Sequence, residues 1–463
     1  MDASQSPSAG ADDSAETTPG SGAPYPHHLT IEAPYKPGIK RVKTDRWIKQ
    51  EYHDREVERI WKKVWQMTCR EEEIPEVGDY ILYDVADLSF IVMRTAAEEI
   101  RAYWNSCPHR GRKLREYEGN GVSELRCMFH GWSWNIDGTN KAIPCKWDFP
   151  GIGEESNLVQ AKTGTWGGWV FINPDLDAEP LADFLGSLPE HFEGANHDMS
   201  KRWKQVHVAA IVDANWKVAQ EAFIESWHVT TTHPQLVFEG QSRQSTGGRW
   251  DDFGNWMRAA PNTPADKQPP KPGWTVMTED QQVALDSYYD RHLNEEPPVV
   301  AHPGQSSTAL TMANIRNFYR GVIGDKIDEY HDIELMGGGM VHIWPNFHPW
   351  SEFSRIQYLF RPYGRDPDKS VMDVMLLAPW PEDKPRPAPA KAHWLKPGED
   401  TSSAPELGQL ARIFLQDIAN MPRVQEGLKT SGRGYVIFSE HHEAPVRHLH
   451  DLYEKWMGLE DGE

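Results

Sequence analysis

Two short segments of the chain each pair a cysteine with a histidine, Cys107-Pro-His109 and Cys127-Met-Phe-His130. Two thiolates and two imidazoles can hold a [2Fe–2S] cluster in which the cysteines bind one iron and the histidines bind the other. The same ligands could hold tetrahedral zinc. Zinc fingers of this composition usually pair Cys with Cys and His with His, whereas each half here mixes them. The spacing therefore favours an iron–sulfur cluster with these four ligands.

A second pattern, Glu225-Ser-Trp-His228 followed by His233-Pro234, places a carboxylate near two imidazoles. Two histidines and one carboxylate are the usual ligands of a mononuclear non-haem iron that reacts with O₂. Histidines five residues apart lie about 500° apart around an α-helix, so they do not share a face. We therefore expect the helix to end or loosen between them, which Pro234 also indicates. Glu225, one turn before His228, can accept the second N–H of that imidazole.

The carboxylate ligand must come from a distant part of the chain. Residues 405–421 have the pattern of an amphipathic helix, and Asp417 falls on its apolar face. The apolar residues that share this face are Leu410, Phe414 and Met421. Because a buried carboxylate is costly without a cation beside it, Asp417 is predicted to bind the iron with His228 and His233.

Two alternatives to this ligand set stay open. Asp417 could instead form a salt bridge on the helix surface, with Arg412 or Arg423 as its partner. The carboxylate ligand could also be one of two neighbouring acids, Glu406 and Glu426.

The cluster motif lies in a region of short strand-like runs, such as Tyr80–Val85, separated by glycine-containing turns. Residues 45–175 are therefore predicted to form a small all-β domain that carries the cluster on two loops. A helix predicted over residues 48–66 contributes to the catalytic domain instead. Its apolar face consists of Val57, Ile60, Trp61, Val64 and Trp65.

The remaining residues, 176–463, mix helical and strand patterns and contain the mononuclear iron motif. Helices are predicted over 214–229 and 278–293, and strands within 206–212 and 338–378. Together with the helix that contains Asp417, this pattern predicts an α+β catalytic domain.

Composition and charge restrict the partners and the compartment. The formal net charge of −21 argues against nucleic acid and anionic membranes, and no apolar run approaches the roughly 20 residues of a membrane span. Residues 1–28 are predicted to be a disordered tail that is not a signal peptide, because the first 24 contain no aromatic residue and no apolar core. Cys69 and Cys145 are predicted to be buried free thiols of a cytoplasmic protein.

The chain resembles the large (α) subunit of Rieske aromatic-ring-hydroxylating oxygenases. The resemblance rests on Cys107-Pro-His109-Arg-Gly with Cys127-Met-Phe-His130-Gly-Trp, and on Glu221-Ala-Phe-Ile-Glu225-Ser-Trp-His228 with Thr-His233-Pro-Gln. It covers residues from about 45 to 455. It implies a Rieske all-β [2Fe–2S] domain, followed by a helix-grip catalytic domain in which an antiparallel sheet wraps around long helices.

The resemblance also implies roles for the site residues. Cys107, His109, Cys127 and His130 would hold the cluster, and an Asp on a C-terminal helix, here Asp417, would complete the Fe(II) site with the two motif histidines. The acid at position 225 would link the iron site to a cluster histidine of the neighbouring subunit. Two positions depart from the family. Glu225 replaces a common Asp, a variant that recurs in monooxygenases and demethylases, and Ala222 replaces an Asn, which suggests a more apolar pocket floor.

The implied function is that of a terminal oxygenase. It would use O₂ and electrons from NAD(P)H, delivered by a separate reductase or ferredoxin, to hydroxylate an aromatic or similar apolar substrate, with ring dihydroxylation favoured. Monooxygenation or O-/N-demethylation is the alternative, and a Rieske electron carrier is the non-enzyme alternative. The expected assembly is a homotrimer, with or without a small β subunit.

Basic residues around the cluster motif suggest where an acidic ferredoxin would dock. They are Arg110, Arg112, Lys113, Arg115 and Arg126. Local ion pairing is the alternative explanation of this cluster, with Glu116, Glu118 and Glu124 as the partners.

Overall fold

The structure is a computed structural model that describes residues 23, 26–194, 198–236, 249–260, 286, 307–336, 339–351, 353–381 and 383–460. The predicted helix over 278–293, except residue 286, lies outside these ranges. So does most of the predicted tail over 1–28. In the described end of that segment, His27–Thr30 form a 3₁₀ turn, and the His28 ring packs edge-on against His191.

The N-terminal part of the described chain is built mainly from β-strands. They are β1 Lys40–Lys43, β2 Gln66–Arg70, β3 Tyr80–Val85, β4 Leu88–Ala96, β5 Glu99–Trp104, β6 Glu124–Arg126, β7 Ser133–Asn135, β8 Asn140–Ala142, β9 Gln160–Trp166 and β10 Trp169–Asn173. An antiparallel sheet has the order β2-β10-β9-β5-β4-β3, and a smaller one has the order β6-β7-β8. One cluster loop follows β5 and the other joins β6 to β7. The all-β prediction for this region is confirmed.

A two-residue turn joins β9 to β10 and fixes their register. Gly167 and Gly168 both have positive φ, 59° and 76°, as the favoured turns of two-residue hairpins require. Trp166 and Trp169 therefore pair across the turn. The fully buried Trp169 ring then packs at 5.0 Å from Phe347 of the second large sheet.

The strands of the C-terminal part form that second large sheet. They are β11 Arg202–Val212, β12 Arg249–Asp252, β13 Trp256–Ala260, β14 Gly339–Ile343, β15 Phe347–Ser351, β16 Ile356–Pro362, β17 Ser370–Pro379 and β18 His393–Trp394, with β19 Tyr435–Phe438 pairing with β1 instead. The strand order is β12-β13-β14-β15-β16-β17-β11-β18, and only the β11–β18 pair is parallel. The strands predicted within 206–212 and 338–378 are confirmed.

The two faces of this sheet have different neighbours because side chains alternate along each strand. On one face, Phe347 packs against the N-terminal sheet. On the other, Tyr358 and Phe360 pack against Phe223, in the turn that follows the helix Trp216–Glu221. Tyr358 also packs against Phe414 of the helix Leu410–Lys429. The sheet thus separates the cluster-bearing sheets from the helices that carry the iron motif.

The described helices include those that lie on this second face. They are α1 Asp45–Ile48, α2 Gln50–Glu56, α3 Leu181–Leu185, α4 Leu188–Gly194, α5 Trp216–Glu221, α6 Val229–Thr232, α7 Ser307–Ile323, α8 Asp332–Met336, α9 Leu410–Lys429 and α10 Ala444–Met457. The apolar face predicted over 48–66 is buried throughout, although the helix changes to a π-turn at Val57–Trp61. Among the helices described, none is both long and apolar enough to cross a membrane.

Helix α9 differs from the predicted helix at both ends. Gly408, with φ 56°, separates it from a 3₁₀ turn at Pro405–Leu407, so the helix begins at Leu410. It continues past Pro422, where the prediction ended. A proline costs a helix one hydrogen bond and some strain, but Gln425 and Leu428 beyond it are buried, and their packing holds the last turns in place.

Candidate metal centres

The two cluster loops share one backbone turn. The N–H of Cys107 donates to the Arg112 carbonyl (2.9 Å), and the N–H of Gly111 donates to the Cys107 carbonyl (2.8 Å). The second loop repeats both bonds at equivalent positions, at 2.8 and 3.1 Å, with Cys127 in place of Cys107. A glycine closes each turn with a positive φ, 74° and 76°, which residues with a side chain rarely adopt. The sequence therefore builds one ligand-presenting turn twice.

The side chains of these turns divide by chemistry. Cys107 and Cys127 are buried, whereas His109 and His130 are more exposed, with their ring centroids 4.7 Å apart. The His109 ring stacks on Trp132 at 5.0 Å and 4°. Burial raises the pKa of the Cys107 thiol, and the neighbouring Cys127 thiol adds to that rise, so a thiolate pair here needs a cation. An inner iron on sulfur and an outer iron on nitrogen fit this arrangement.

The predicted helix over 214–229 is wrong, and its interruption shapes the iron site. Helix α5 ends at Glu221, the following residues are non-helical, and α6 occupies Val229–Thr232 with His228 and His233 at its two ends. One short turn thus separates the histidines and turns both rings to the same side. The expectation that the helix ends or loosens between them is confirmed in its first form, because α6 ends at Thr232 and the backbone of His233 is no longer helical.

Three side chains converge beside this turn. Oδ1 of Asp417 lies 2.8 Å from Nε2 of His233 and 3.5 Å from Nε2 of His228. In the described part of the chain, these three residues form the only group of His, Cys, Asp or Glu side chains with metal-ligand spacing, and their ligand atoms all lie within 4.8 Å of one another. Asp417 is 4% exposed on the apolar face of α9, as predicted.

Hydrogen bonds at the opposite ring nitrogens fix the tautomers of both histidines. Nδ1 of His228 lies 2.6 Å from Oε1 of Glu225, and Nδ1 of His233 lies 2.8 Å from Oε1 of Gln416. Carboxylate and amide oxygens only accept, so both Nδ1 atoms carry the proton and both Nε2 atoms present lone pairs. Two lone pairs facing the Asp417 carboxylate repel it unless a cation lies between them. The donor set therefore fits a divalent iron.

The electrostatic surroundings of His228 also favour a cation at this site. Burial lowers the pKa of His228, but the hydrogen bond that its ring donates to Glu225 and the charges of Glu225 and Asp417 outweigh burial, so the net pKa is raised. The surroundings of this imidazole thus favour positive charge. Glu225 is itself held by the backbone N–H groups of Trp227 and His228, so its carboxylate is fixed against the ring.

Gln416 was not predicted from the sequence. Its Oε1 accepts from Nδ1 of His233 and from Nε2 of Gln235 at 2.6 Å. The sequence shows that Gln416 precedes Asp417 and that Gln235 follows His233-Pro234. Neither position indicates that the side-chain amides of Gln416 and Gln235 form a hydrogen bond.

A sequence model of the family described as "Ring hydroxylating alpha subunit (catalytic domain)" matches residues 199–459, and the Rieske [2Fe-2S] domain model matches residues 64–152. The chain belongs to the ring-hydroxylating alpha subunit family. The Rieske domain followed by the catalytic domain confirms the predicted fold, and these domains bind a [2Fe–2S] cluster and non-haem Fe(II).

Similar proteins include dioxygenases and monooxygenases. Anthranilate 1,2-dioxygenase large subunit from Acinetobacter baylyi is 29% identical over 46% of this chain and 47% of its own. Carnitine monooxygenase oxygenase subunit from Acinetobacter pittii is 31% identical over 39% and 49%. The matched region thus spans about half the length of these curated relatives. A solved quaternary ammonium Rieske monooxygenase, described with inter-subunit electron transfer, has the same fold at a TM-score of 0.61 and 17% identity, over 91% of this chain and 96% of that one.

The rival carboxylates of this ring-hydroxylating alpha subunit lie away from the three-ligand group. Glu406 pairs with His393 at 2.6 Å, and Glu426 pairs with Arg423 at 2.9 Å. The salt-bridge alternative for Asp417 also loses its support, because the groups that contact its carboxylate are the two imidazoles.

The basic residues near the cluster of this alpha subunit have local partners. Arg112 pairs with Glu116, Lys113 with Asp84, and Arg126 with Glu124, while Arg115 donates to main-chain carbonyls. These pairs are largely exposed, so they remain available to a partner. Docking of an acidic ferredoxin there stays a prediction.

The two cysteines outside the cluster motif are both free thiols. Cys69 is buried and burial raises its pKa, as expected for an inert core thiol. Cys145 is exposed, so the prediction that both are buried is wrong for this residue. It precedes a 3₁₀ turn at Lys146–Asp148 on the surface.

Proposed function

We propose that the chain is the terminal oxygenase component of a multicomponent Rieske system. It uses O₂ and electrons from NAD(P)H, passed through a separate reductase and ferredoxin, to hydroxylate an aromatic or similar apolar substrate. The observation that carries this proposal is the pair of Nε2 lone pairs that converge on Asp417 in a chain that also carries the cluster turns.

Each site residue has a role in this proposal. Cys107, His109, Cys127 and His130 hold the cluster, and His228, His233 and Asp417 hold Fe(II). The bound cluster supplies single electrons, and the bound Fe(II) supplies the chemistry that reduces O₂. Glu225 keeps the proton of His228 on Nδ1, and Gln416 does the same for His233. Both orientations hold the iron-facing nitrogens in place before the metal binds.

A cavity of about 490 Å³ adjoins this site. Glu225, His228 and Asp417 line it together with Ala222. Its apolar lining residues include Val218, Met421, Phe438 and Val446. We infer that these apolar side chains would contact an apolar substrate.

Electron transfer between subunits is part of this proposal. Exposed apolar side chains flank both sites: Met128 (73% exposed) and Phe129 (54%) beside His130, and Trp227 (45%) and Val424 (48%) beside the iron site. Two different apolar surfaces on one chain suit a head-to-tail ring. We therefore propose a homotrimer, with or without a small β subunit, in which Glu225 links His228 to a cluster histidine of the next copy.

The domain division and the compartment belong to the same proposal. Residues 45–175 would form the Rieske domain and 176–463 the catalytic domain. Arg46 and Trp47, in the N-terminal helical segment, contact Glu454 and Glu221 of the catalytic part. The compartment would be the cytoplasm, where the free thiols Cys69 and Cys145 stay reduced.

Monooxygenation or O-/N-demethylation is the second candidate reaction. Glu225 favours this second reaction, because Glu at the corresponding position recurs in the monooxygenase and demethylase branches of the Rieske oxygenase family. The similar proteins include a dioxygenase and a monooxygenase, so they support either candidate reaction.

Metal analysis and isotope labelling test the proposal. The purified protein should contain about three irons per chain, two in the cluster and one in the mononuclear site. With a reductase, a ferredoxin and ¹⁸O₂, an aromatic substrate panel should yield a labelled product, and the number of labelled oxygens separates dioxygenation from monooxygenation. About two irons per chain and no labelled product would instead identify an electron carrier.

A further inference from the structure

Glu221, the last residue of α5, is a partly buried acid, with 14% of its side chain exposed, and it has no role in the proposed ligand sets. Its side chain lines the cavity that it shares with Glu225, His228 and Asp417. Its Oε1 accepts from Nε1 of Trp47 at 3.0 Å and faces Nε2 of His450 at 2.9 Å. Among the residues that the structure describes, no side chain or backbone N–H donates to Oε2. One oxygen is therefore anchored and the other is free to carry a proton.

His450 is held in one orientation and one tautomer. It is fully buried and stacks on Phe438 at 5.3 Å. Its Nδ1 lies 3.3 Å from the Arg46 guanidinium, which can only donate, so the ring proton sits on Nε2 and points at Glu221. Burial, reinforced by the charge of Arg46, holds the pKa of His450 well below its usual range, so the ring stays neutral.

The charges around Glu221 come from helices α1, α5, α9 and α10 and from the turn that contains Glu225 and His228. Burial is the largest influence and raises the pKa of Glu221 to about 8, against the Trp47 hydrogen bond and the positive charge of Lys217. Glu443 adds to the rise, while Arg46 opposes it. The charged and titratable groups that face Glu221 are Arg46, Lys217, Glu443 and His450, with Glu225, His228, Asp417 and Arg423 lining the same cavity.

We propose that Glu221 is a proton donor to the oxygenation site, delivering the proton on Oε2 into the cavity it shares with Glu225 and Asp417. This inference rests on the proposed function. Either reaction takes up two protons with two electrons for each O₂, giving a diol or a monohydroxylated product plus water. The electrons come from the NAD(P)H-dependent partner.

The proton transfer leaves a stabilised base behind. The O–H bond at Oε2 breaks, the proton passes to reduced oxygen, and the electron pair stays on Glu221. The resulting carboxylate is held by the N–H groups of Trp47 and His450. A proton from solvent, relayed through water that enters the cavity, restores the O–H bond.

Infrared spectroscopy of the full-length holoprotein tests whether the proton is present, independently of turnover. At neutral pH the wild type should show the carbonyl stretch of a protonated carboxylic acid, and that band should disappear with a midpoint near pH 8. Glu221→Gln, which keeps an oxygen for Trp47 and His450, should abolish the band. Glu443→Gln, in the same cavity, should keep it. A band that is missing from the wild type, or that follows Glu443 instead, overturns the proposal even if the Glu221→Gln variant does not fold.

The rate of product formation then tests whether Glu221 delivers its proton during the reaction. Glu221→Gln should retain about three irons per chain and lower product formation roughly a hundredfold, the usual contribution of a positioned acid. Glu426→Gln, exposed and paired with Arg423, is the matched control with wild-type turnover. If Glu221→Gln turns over normally with full metal content, this inference fails and the oxygenase function stands. If the wild type itself gives no oxygenated product, the proposed function fails, and with it the delivery step.

Discussion

The cluster loops and the iron site solve the same problem, holding imidazoles for a metal, in different ways. Each cluster loop brings a Cys and a His together within four residues and braces them with two backbone hydrogen bonds of its own. The iron site joins His233 to Asp417 across 184 residues. The first arrangement is local, whereas the second exists only when α9 packs against the turn that contains the histidines.

The second nitrogens of the imidazoles show the same difference. At the iron site both Nδ1 atoms are tied to protein acceptors, Glu225 and Gln416. At the cluster, within the described chain, His109 and His130 are supported by ring contacts such as the Trp132 stack rather than by hydrogen bonds. The cluster histidines therefore keep a ring N–H that can donate to a partner protein. The iron-site histidines have no such free N–H, because Nδ1 donates within the chain and Nε2 faces the metal site.

The largest expected effect is loss of the cluster in Cys107→Ser. An alcohol is a poor ligand for ferric iron, so the visible absorption of the cluster should vanish and iron content should fall to about one per chain. The fold should persist, because the turn is held by backbone bonds, and circular dichroism measures this. Intact cluster absorption in this variant would show that the loop assignment is wrong.

Asp417→Ala should remove the other metal and leave the first. Loss of the carboxylate leaves two neutral ligands, so the mononuclear iron should be absent and product formation abolished, while the cluster spectrum stays unchanged. Glu426→Ala on the same helix is the control and should keep about three irons. Turnover retained by Asp417→Ala would move the third ligand elsewhere.

Glu225→Gln probes the link between the two regions. The amide still accepts from His228 but lacks the charge, so both metals should remain while turnover falls about 10–100-fold, the range seen when such supporting groups are changed. Iron analysis and single-turnover kinetics measure the two effects separately. Normal turnover with full metal content, or an active monomer by light scattering, would contradict the inter-subunit route.

The smallest expected effect is that of Gln416→Leu. The substitution removes the acceptor that holds the proton of His233 on Nδ1, so Fe(II) affinity should fall about tenfold. Titration with Fe(II) measures this, and the cluster spectrum serves as an internal reference. Asn420→Leu, one turn further along α9, should bind Fe(II) like the wild type. Equal affinities in the two variants would mean that Gln416 does not orient the ligand.

The features that could be predicted from the sequence are the local ones, as in the cluster loops, whereas contacts between distant segments could not be predicted. The cluster loops were predictable because ligands and turn glycines lie within one short segment. Asp417 could be placed on the buried face of a helix because the 3.6-residue period is local. The end of α5 at Glu221 could not be predicted, because residues 214–229 have helical character throughout and nothing local marks where the helix stops. Nothing near Gln416 in sequence shows that it meets Gln235, and the exposure of Cys145 likewise depends on neighbours distant in the chain.

The pairing of β1 with β19 determines the order in which parts of the chain can fold during synthesis. Val42 lies opposite Val436, so β1 cannot pair until β19, far along the chain, has been synthesised. Arg46 and Trp47 likewise cannot make their contacts with Glu454 and His450 until α10 has been synthesised. The strands of the two sheets that carry the cluster loops all lie before residue 174. Because domains tend to fold as they emerge, a nascent chain can acquire its iron–sulfur cluster while the iron site is still incomplete.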